Sequence, residues 1–187
     1  MGAAAVITLL FVGNSLTAAN DLPAMIEAMG RASSIPIRCM AITRPNFGLA
    51  EHWNDGEARR AIAKRGWTFV ILQQGPSALR ASRELLNDYA RRFAREIRRA
   101  DASPAFYSVW PSESRRGDFD HVHASYAGAA ALVRAPLFPV GEAWREAWRR
   151  DPETPRLHVW VYDIHTGLLK VVIDGSASEL ADDSYAE

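Results

Sequence analysis

The chain has 187 residues, of which 48% are hydrophobic and 24% charged, and its formal net charge is zero. These values are typical of one globular domain with a sizeable core, so we expect a single domain over residues 1–187. A nucleic-acid-binding domain usually carries a clear basic excess, and the zero net charge argues against that class. The single cysteine, Cys39, excludes an intramolecular disulfide, and no Cys/His cluster has zinc-ligand spacing.

The N-terminal apolar run, residues 1–12, has features of neither a signal peptide nor a membrane span. No positive charge precedes it, as a signal peptide requires, and it is too short to cross a bilayer. We therefore expect a buried strand over residues 6–12. We also expect a cytoplasmic chain, or an exported one whose signal peptide is absent from this sequence.

Short apolar runs alternate with helical patterns along the chain. Strands are predicted over residues 6–12, 35–42, 69–72, 105–109 and 137–140, and helices over residues 22–29, 50–64, 82–100, 119–132 and 142–149. Such alternation predicts a three-layer, flavodoxin-like α/β fold with a central parallel sheet and helices on both faces. In these sheets ligands bind at the carboxyl ends of the strands.

A candidate nucleophile follows the first predicted strand directly. Gly13-Asn14-Ser15 lies between that strand and a helical pattern, which places Ser15 near a helix N-terminus. Backbone N–H groups at such a position can stabilise an oxyanion. The segment alone favours an ordinary capped turn over a nucleophile, because Ser and Asn are common helix caps.

Further segments, in a fixed order, strengthen the interpretation of Ser15 as a nucleophile. They are Phe-Val-Gly-Asn-Ser-Leu-Thr at 11–17, Phe-Gly-Leu-Ala-Glu-His-Trp at 47–53, Val-Ile-Leu-Gln-Gln-Gly-Pro-Ser at 70–77, and a group formed by Trp110-Pro111, Ser125-Tyr126 and residues 139–144. Their order and spacing over residues 6–150 resemble the SGNH (GDSL-like) hydrolase family, and the last group resembles one bacterial branch of it. The resemblance implies a serine esterase that needs no cofactor and no metal.

The resemblance also implies roles for individual residues. Ser15 would attack the acyl carbon, and the N–H groups of Ser15 and Gly48 would face the oxyanion. The third oxyanion donor is an Asn side chain in most members, and here either Ser77 or Gln74 falls near that position. Asn14 stands where many members have Asp.

The general base is expected late in the chain, where the family has Asp-x-x-His followed by a helix. This sequence has Asp163-Ile164-His165, one residue shorter, and residues 168–173 predict a strand instead of a helix. The tail from about residue 157 therefore predicts a β-hairpin. We expect His165 to be the base, with Asp163 orienting it, and a surface histidine beside a turn is the alternative. A helix is expected to carry His52 away from Gly48.

Together these features predict a serine ester hydrolase that forms an acyl-enzyme on Ser15. Its substrate would be a small-molecule acyl ester, with carbohydrate acetyl esters as one candidate class, and no nucleic-acid or membrane partner is expected. The alternative is a catalytically impaired SGNH-like binding protein that lacks a working Asp/His dyad. A carbohydrate-binding module is a further alternative, suggested by the six tryptophans. The sequence makes no prediction of oligomeric state.

Overall fold

The computed structural model of the chain describes residues 5–150 and the backbone of residues 159–163 and 168–173. The chain forms two compact units, Met1–Val140 and Gly141–Glu187. The strands of the first unit are β1 (Ile7–Gly13), β2 (Ile37–Thr43), β3 (Phe69–Leu72), β4 (Ser103–Tyr107) and β5 (Leu137–Phe138). Its helices are α1 (Ser15–Ala18), α2 (Leu22–Ala32), α3 (Leu49–Asp55), α4 (Glu57–Ala63), α5 (Arg80–Arg99) and α6 (Phe119–Leu132), with short 3₁₀ helices at Ala19–Asp21 and Glu113–Asp118.

The five strands form one parallel sheet in the order β2-β1-β3-β4-β5. This arrangement confirms the predicted three-layer, flavodoxin-like α/β fold. From β1 the chain first passes to β2 at one edge and then returns to build β3, β4 and β5 on the other side. The strand order therefore reverses between β1 and β3. Ligands of open α/β sheets bind at the carboxyl ends of the strands at such a reversal.

The core lies along the two strands that meet at this reversal. Leu10 and Val12 of β1 and Val70 and Leu72 of β3 are fully buried, as expected for inner strands that are covered on both faces. Helix α5 contributes the apolar face that its sequence predicts, through the buried side chains Leu86, Phe93 and Ile97. Its arginines lie on the remaining surface, as is typical of an amphipathic helix.

One predicted helix is interrupted in the structure. Residues 50–64 were expected to be continuous, but α3 ends at Asp55 and α4 begins at Glu57. The residue between them, Gly56, has φ +81°, a left-handed conformation that only glycine adopts without strain. The N–H of Glu57, the first residue of α4, donates to Asp55 Oδ2 at 3.1 Å.

The second unit contains most of α7 (Val140–Arg150) and the strands β6 (Val159–Asp163) and β7 (Leu168–Ile173), which pair antiparallel. Asp163 is the last residue of β6 and pairs with Leu168, whereas His165 lies outside the described residues. The expectation of one domain over the whole chain stays a prediction. Among the helices in the described ranges, none combines the length and the apolar character needed to cross a membrane.

Replacement of Gly56 by alanine should destabilise the protein, because a Cβ at this φ is strained. We expect the Gly56→Ala free energy of unfolding to fall by about 1–2 kcal/mol, measured by urea denaturation. Gly128→Ala is the matched control: Gly128 is exposed in α6, and apart from its chain neighbours and the helix's own backbone no atom lies within 4 Å of the position of its added Cβ. The free energy of unfolding of this control should rise by up to about 1 kcal/mol. An equal loss of stability in both variants would contradict the view that the positive φ of Gly56 requires glycine.

Candidate active site

The turn after β1 presents Ser15 at the carboxyl end of the sheet. Asn14 is the N-cap of α1, and its Oδ1 accepts a hydrogen bond from Leu16 N at 3.1 Å. Ser15 is the first residue of this short helix and is half-buried. Its hydroxyl makes no hydrogen bond to any residue in the described part of the chain. Ser15 thus lies just after β1 at the start of α1, and no other residue in the described ranges bonds to its hydroxyl group.

Gly13 permits unusually close packing beneath this turn. A Cβ at Gly13 would lie 2.4 Å from Gln73 Oε1 and 2.6 Å from Thr17 Oγ1, closer than real Cβ contacts. Any other residue would therefore displace these two side chains. The missing side chain of Gly13 leaves room for the amide of Gln73.

Gln73 is a site residue that the sequence analysis did not identify. It follows β3 directly and is 1% exposed. Its Oε1 accepts hydrogen bonds from Asn14 N at 2.9 Å and Thr17 Oγ1 at 2.8 Å. Its Nε2 donates to Asn14 Oδ1 at 3.0 Å and to Gln74 O at 2.7 Å. The position of a glutamine at the carboxyl end of a buried strand was the only sequence signal for this role.

The second sequence block adjoins the nucleophile turn. Asn14 Nδ2 donates to Phe47 O at 3.1 Å, which joins the segment containing Ser15 to the residue before Gly48. Gly48 is the N-cap of α3, and its N–H donates to Glu51 Oε2 at 2.8 Å. A Glu at this position of a helix commonly bonds back to the N-cap N–H. The amide predicted to face an oxyanion is therefore occupied by a carboxylate of the same chain.

The third block brings Gln74 and Ser77 together, but the side-chain N–H and O–H groups of both residues already donate to other groups of the chain. Gln74 Nε2 donates to Ser77 Oγ at 2.8 Å and to Ser82 O at 3.3 Å. Ser77 Oγ in turn donates to Gly75 O at 2.9 Å. Gln74 Oε1 accepts from the N–H of Leu49, at 3.2 Å, in the second block. Both candidates for the third oxyanion donor are thus near Gly48, and either would need to exchange an existing hydrogen bond for one to a ligand.

His52 lies closer to the nucleophile turn than the sequence analysis expected. It is 1% exposed, and its Nε2 lies 2.7 Å from Gly13 O. A carbonyl oxygen only accepts, so Nε2 carries the proton, and Nδ1 has no partner among the described residues. Burial lowers the pKa of His52, which keeps the ring neutral at neutral pH. The helix carries His52 inward because residue i+4 lies on the same helix face as the N-cap, Gly48.

The other histidines in the described ranges do not approach Ser15 through any hydrogen bond shown by the structure. His121 is exposed in the first turn of α6, with Nδ1 3.8 Å from Asp118 Oδ1. His123 lies two residues further along the same helix. The assignment of His165 as base and Asp163 as its partner stays a prediction.

An open cavity of about 410 Å³ lies beside the second and third blocks. One part of its wall is formed by the predicted oxyanion residues and the carboxylate beside them: Gly48, Glu51, Gln74 and Ser77. The remainder includes apolar side chains and one ion pair, among them Leu79, Leu85, Pro111, Arg115 and Asp118. A ligand in this cavity would contact the first turn of α3.

The hydrogen bonds of Asn14 explain why an aspartate would fit poorly here. Asn14→Asp would place a carboxylate oxygen against Phe47 O, where Nδ2 now donates at 3.1 Å. We expect the free energy of unfolding at pH 7 to fall by about 1–3 kcal/mol, the cost of leaving a buried group unsatisfied. The deficit should shrink at acid pH, because a protonated carboxyl can donate to Phe47 O. Urea denaturation at several pH values measures this loss of stability. The control Asn20→Asp, at an exposed site, should show neither the loss at pH 7 nor its dependence on pH.

Comparison with solved structures identifies the fold. No protein-family model and no curated protein sequence matches the chain. A protein from Slackia heliotrinireducens assigned as an SGNH hydrolase is 25% identical, with a TM-score of 0.63, over 76% of this chain and 83% of that one. An acetyl xylan esterase, AlAXEase, is 12% identical (TM-score 0.60; 79% and 84% covered). A lipase/acylhydrolase from Enterococcus faecalis is 11% identical (TM-score 0.60; 75% and 79% covered). The chain therefore has the fold of the SGNH (GDSL-like) hydrolases, and the resemblance to that family seen in its sequence blocks is confirmed.

Proposed function

We propose that this chain is a serine ester hydrolase that uses Ser15 as its nucleophile and acts on small acyl esters through an acyl-enzyme. The main support is the position of Ser15, a half-buried residue whose hydroxyl bonds to no other residue that the structure describes and which lies at the point where the strand order of the sheet reverses. The Asn14–Phe47 hydrogen bond keeps this turn beside Gly48, which lines the cavity. Nucleophile and oxyanion donor must be neighbours in this way for acyl transfer.

The proposed reaction begins when Ser15 Oγ attacks the ester carbonyl and transfers its proton to a histidine base. The N–H groups of Ser15 and Gly48 then stabilise the oxyanion, with Ser77 or Gln74 as third donor. The alcohol leaves with the proton that the base returns, and water hydrolyses the acyl-enzyme by the same route. His165 is the base in this proposal, and Asp163 fixes its tautomer. No step requires a cofactor.

Acetyl esters of carbohydrates are the first substrates to test. This choice rests on one solved structure similar to this chain, an acetyl xylan esterase. The competing proposal is a binding protein of the same fold without a working Asp/His dyad, suggested by the shortened Asp163-Ile164-His165 spacing. The two proposals differ in one measurable property, which is Ser15-dependent ester hydrolysis.

Ser15→Ala and His165→Ala should both abolish hydrolysis of p-nitrophenyl acetate and of acetylated xylan. Loss of such a nucleophile can lower turnover on the order of a millionfold, so both variants should fall to the same very low rate. Asp163→Asn should lose less activity. Wild-type protein should also be labelled by a fluorophosphonate, and Ser15→Ala should not.

The matched control for these variants is Ser33→Ala, which removes the hydroxyl of an exposed serine at the end of α2. It should keep full activity and full labelling. Wild-type activity in Ser15→Ala would rule out the proposed nucleophile. A folded wild-type protein with neither activity nor labelling would favour the binding-protein proposal.

The carboxylate of Glu51 should limit activity, because it occupies the Gly48 N–H at 2.8 Å that the oxyanion needs. Glu51→Ala should raise kcat/KM for p-nitrophenyl acetate by about two- to tenfold, the factor that corresponds to one net hydrogen bond. Glu51→Gln should give a smaller increase, because its neutral amide oxygen is a weaker acceptor. The control is Glu57→Ala, which removes a half-buried Glu in the first turn of α4 that pairs with Arg44. An unchanged or lower kcat/KM in both Glu51 variants would argue against Gly48 as an oxyanion donor.

A further inference from the structure

Gln73 makes an unusually complete set of hydrogen bonds for a buried side chain. An amide has two acceptor lone pairs on oxygen and two N–H donors. Gln73 uses all four, on Asn14 N, Thr17 Oγ1, Asn14 Oδ1 and Gln74 O, at 2.7–3.0 Å. With 1% of its surface exposed, it has no access to water that could replace these partners.

The four bonds fix the orientation of the Gln73 amide. If the amide were rotated by 180°, Nε2 would face the N–H of Asn14, and Oε1 would face Asn14 Oδ1 and Gln74 O. Each of these contacts would bring together two donors or two acceptors. The contacts therefore select one orientation, and the amide holds Asn14 through both its backbone and its side chain.

The partners of Gln73 lie on both sides of the nucleophile. Asn14 precedes Ser15, Thr17 follows it by two residues, and both bond to the same amide oxygen. The backbone of Gln73 is itself anchored to the sheet, through its N–H to Val12 O at 2.9 Å. The turn that contains Ser15 is thus held at two points by a side chain from the neighbouring strand.

We infer that Gln73 is a positioning residue for the nucleophile: its buried amide sets the place of Ser15 relative to Gly48 and the cavity. The inference rests on the proposed function, because it assigns Gln73 a part in the same reaction. Gln73 does not touch the substrate in this account. It acts through Asn14 and Thr17, so its loss should slow the chemical step more than it weakens substrate binding.

Gln73→Met tests the inference, since methionine has a similar length and shape but makes none of the four bonds. A displacement of about 1 Å at a reacting group can cost roughly 100-fold in rate. We therefore expect kcat for p-nitrophenyl acetate to fall by about 100-fold while KM changes less than about threefold. The rate of fluorophosphonate labelling of Ser15 should fall in parallel, because labelling depends on the nucleophile and hardly on ester binding.

The matched control is Ile97→Ala, which weakens the core at a fully buried residue near the end of α5. It lies roughly 22 Å along the helix axis from Ser82, the α5 residue that lines the cavity. Both variants should show a lower urea midpoint, but Ile97→Ala should keep kcat and the labelling rate within about twofold of wild type. If the role of Gln73 were purely structural, Gln73→Met would also lower the urea midpoint and leave kcat and the labelling rate near the wild-type values.

Thr17→Val provides a milder test that does not depend on the folding of Gln73→Met. It removes only the bond from Thr17 Oγ1 to Gln73 Oε1 and should lower kcat by less than Gln73→Met while leaving KM unchanged. Wild-type kcat in Gln73→Met, or in Thr17→Val if the first variant does not fold, would overturn the inference while Ser15-dependent activity stands. Wild-type protein with no activity above Ser15→Ala would overturn the proposed function, and the inference with it.

Discussion

The hydrogen bonds between the ends of β1 and β3 are the constraint on which the candidate site depends. The chain leaves β1 toward one edge of the sheet and returns much later to build β3 on the other side. Beyond the carboxyl ends of these two strands, the amide of Gln73 bonds to Asn14 and Thr17 and so joins the segment after β3 to the turn after β1. The second block is attached to the same turn by Asn14 Nδ2 and by the ring of His52. Three segments that are distant in sequence are thereby joined at the turn that contains Ser15.

A second property of the site is that most of its donors are already in use. Gly48 N–H, the Gln74 amide and the Ser77 hydroxyl all donate to groups of the chain itself. Buried donors without acceptors are costly, so a site that awaits a ligand is more stable when its own groups satisfy them. The consequence for chemistry is that ligand binding is an exchange of hydrogen bonds. The exposed side chain of Glu51 can be exchanged at a lower cost than the buried pair Gln74 and Ser77.

The fold could be predicted from the sequence because it depends on local patterns. Strand β3 and helix α6 have the predicted bounds, since each is an apolar run or a helical pattern with clear ends. The break at Gly56 was missed because a single glycine within a helical pattern does not reveal its φ. The link between the segments of Ser15 and Gly48, through Asn14 and Phe47, follows from the neighbouring parallel strands β1 and β2. By contrast, the contacts of Gln73 join residues up to 59 positions apart and leave no periodic signal. The Glu51 contact is local, and the spacing Gly48-x-x-Glu51 is a helix-start pattern that the sequence does contain.

The close approach beneath Gly13 has a consequence for how the sequence can vary. Because a Cβ at position 13 would lie 2.4 Å from Gln73 Oε1, the two positions share one small volume and are expected to show epistasis. A larger residue at 13 is compatible with the turn only when residue 73 is shortened, and a shorter residue at 73 gives up the bonds that hold Asn14. Neither change is neutral alone, and a double variant would need other contacts to hold the turn that contains Ser15. Positions 13 and 73 therefore restrict each other across 60 residues of chain, and single substitutions offer no gradual path away from this arrangement.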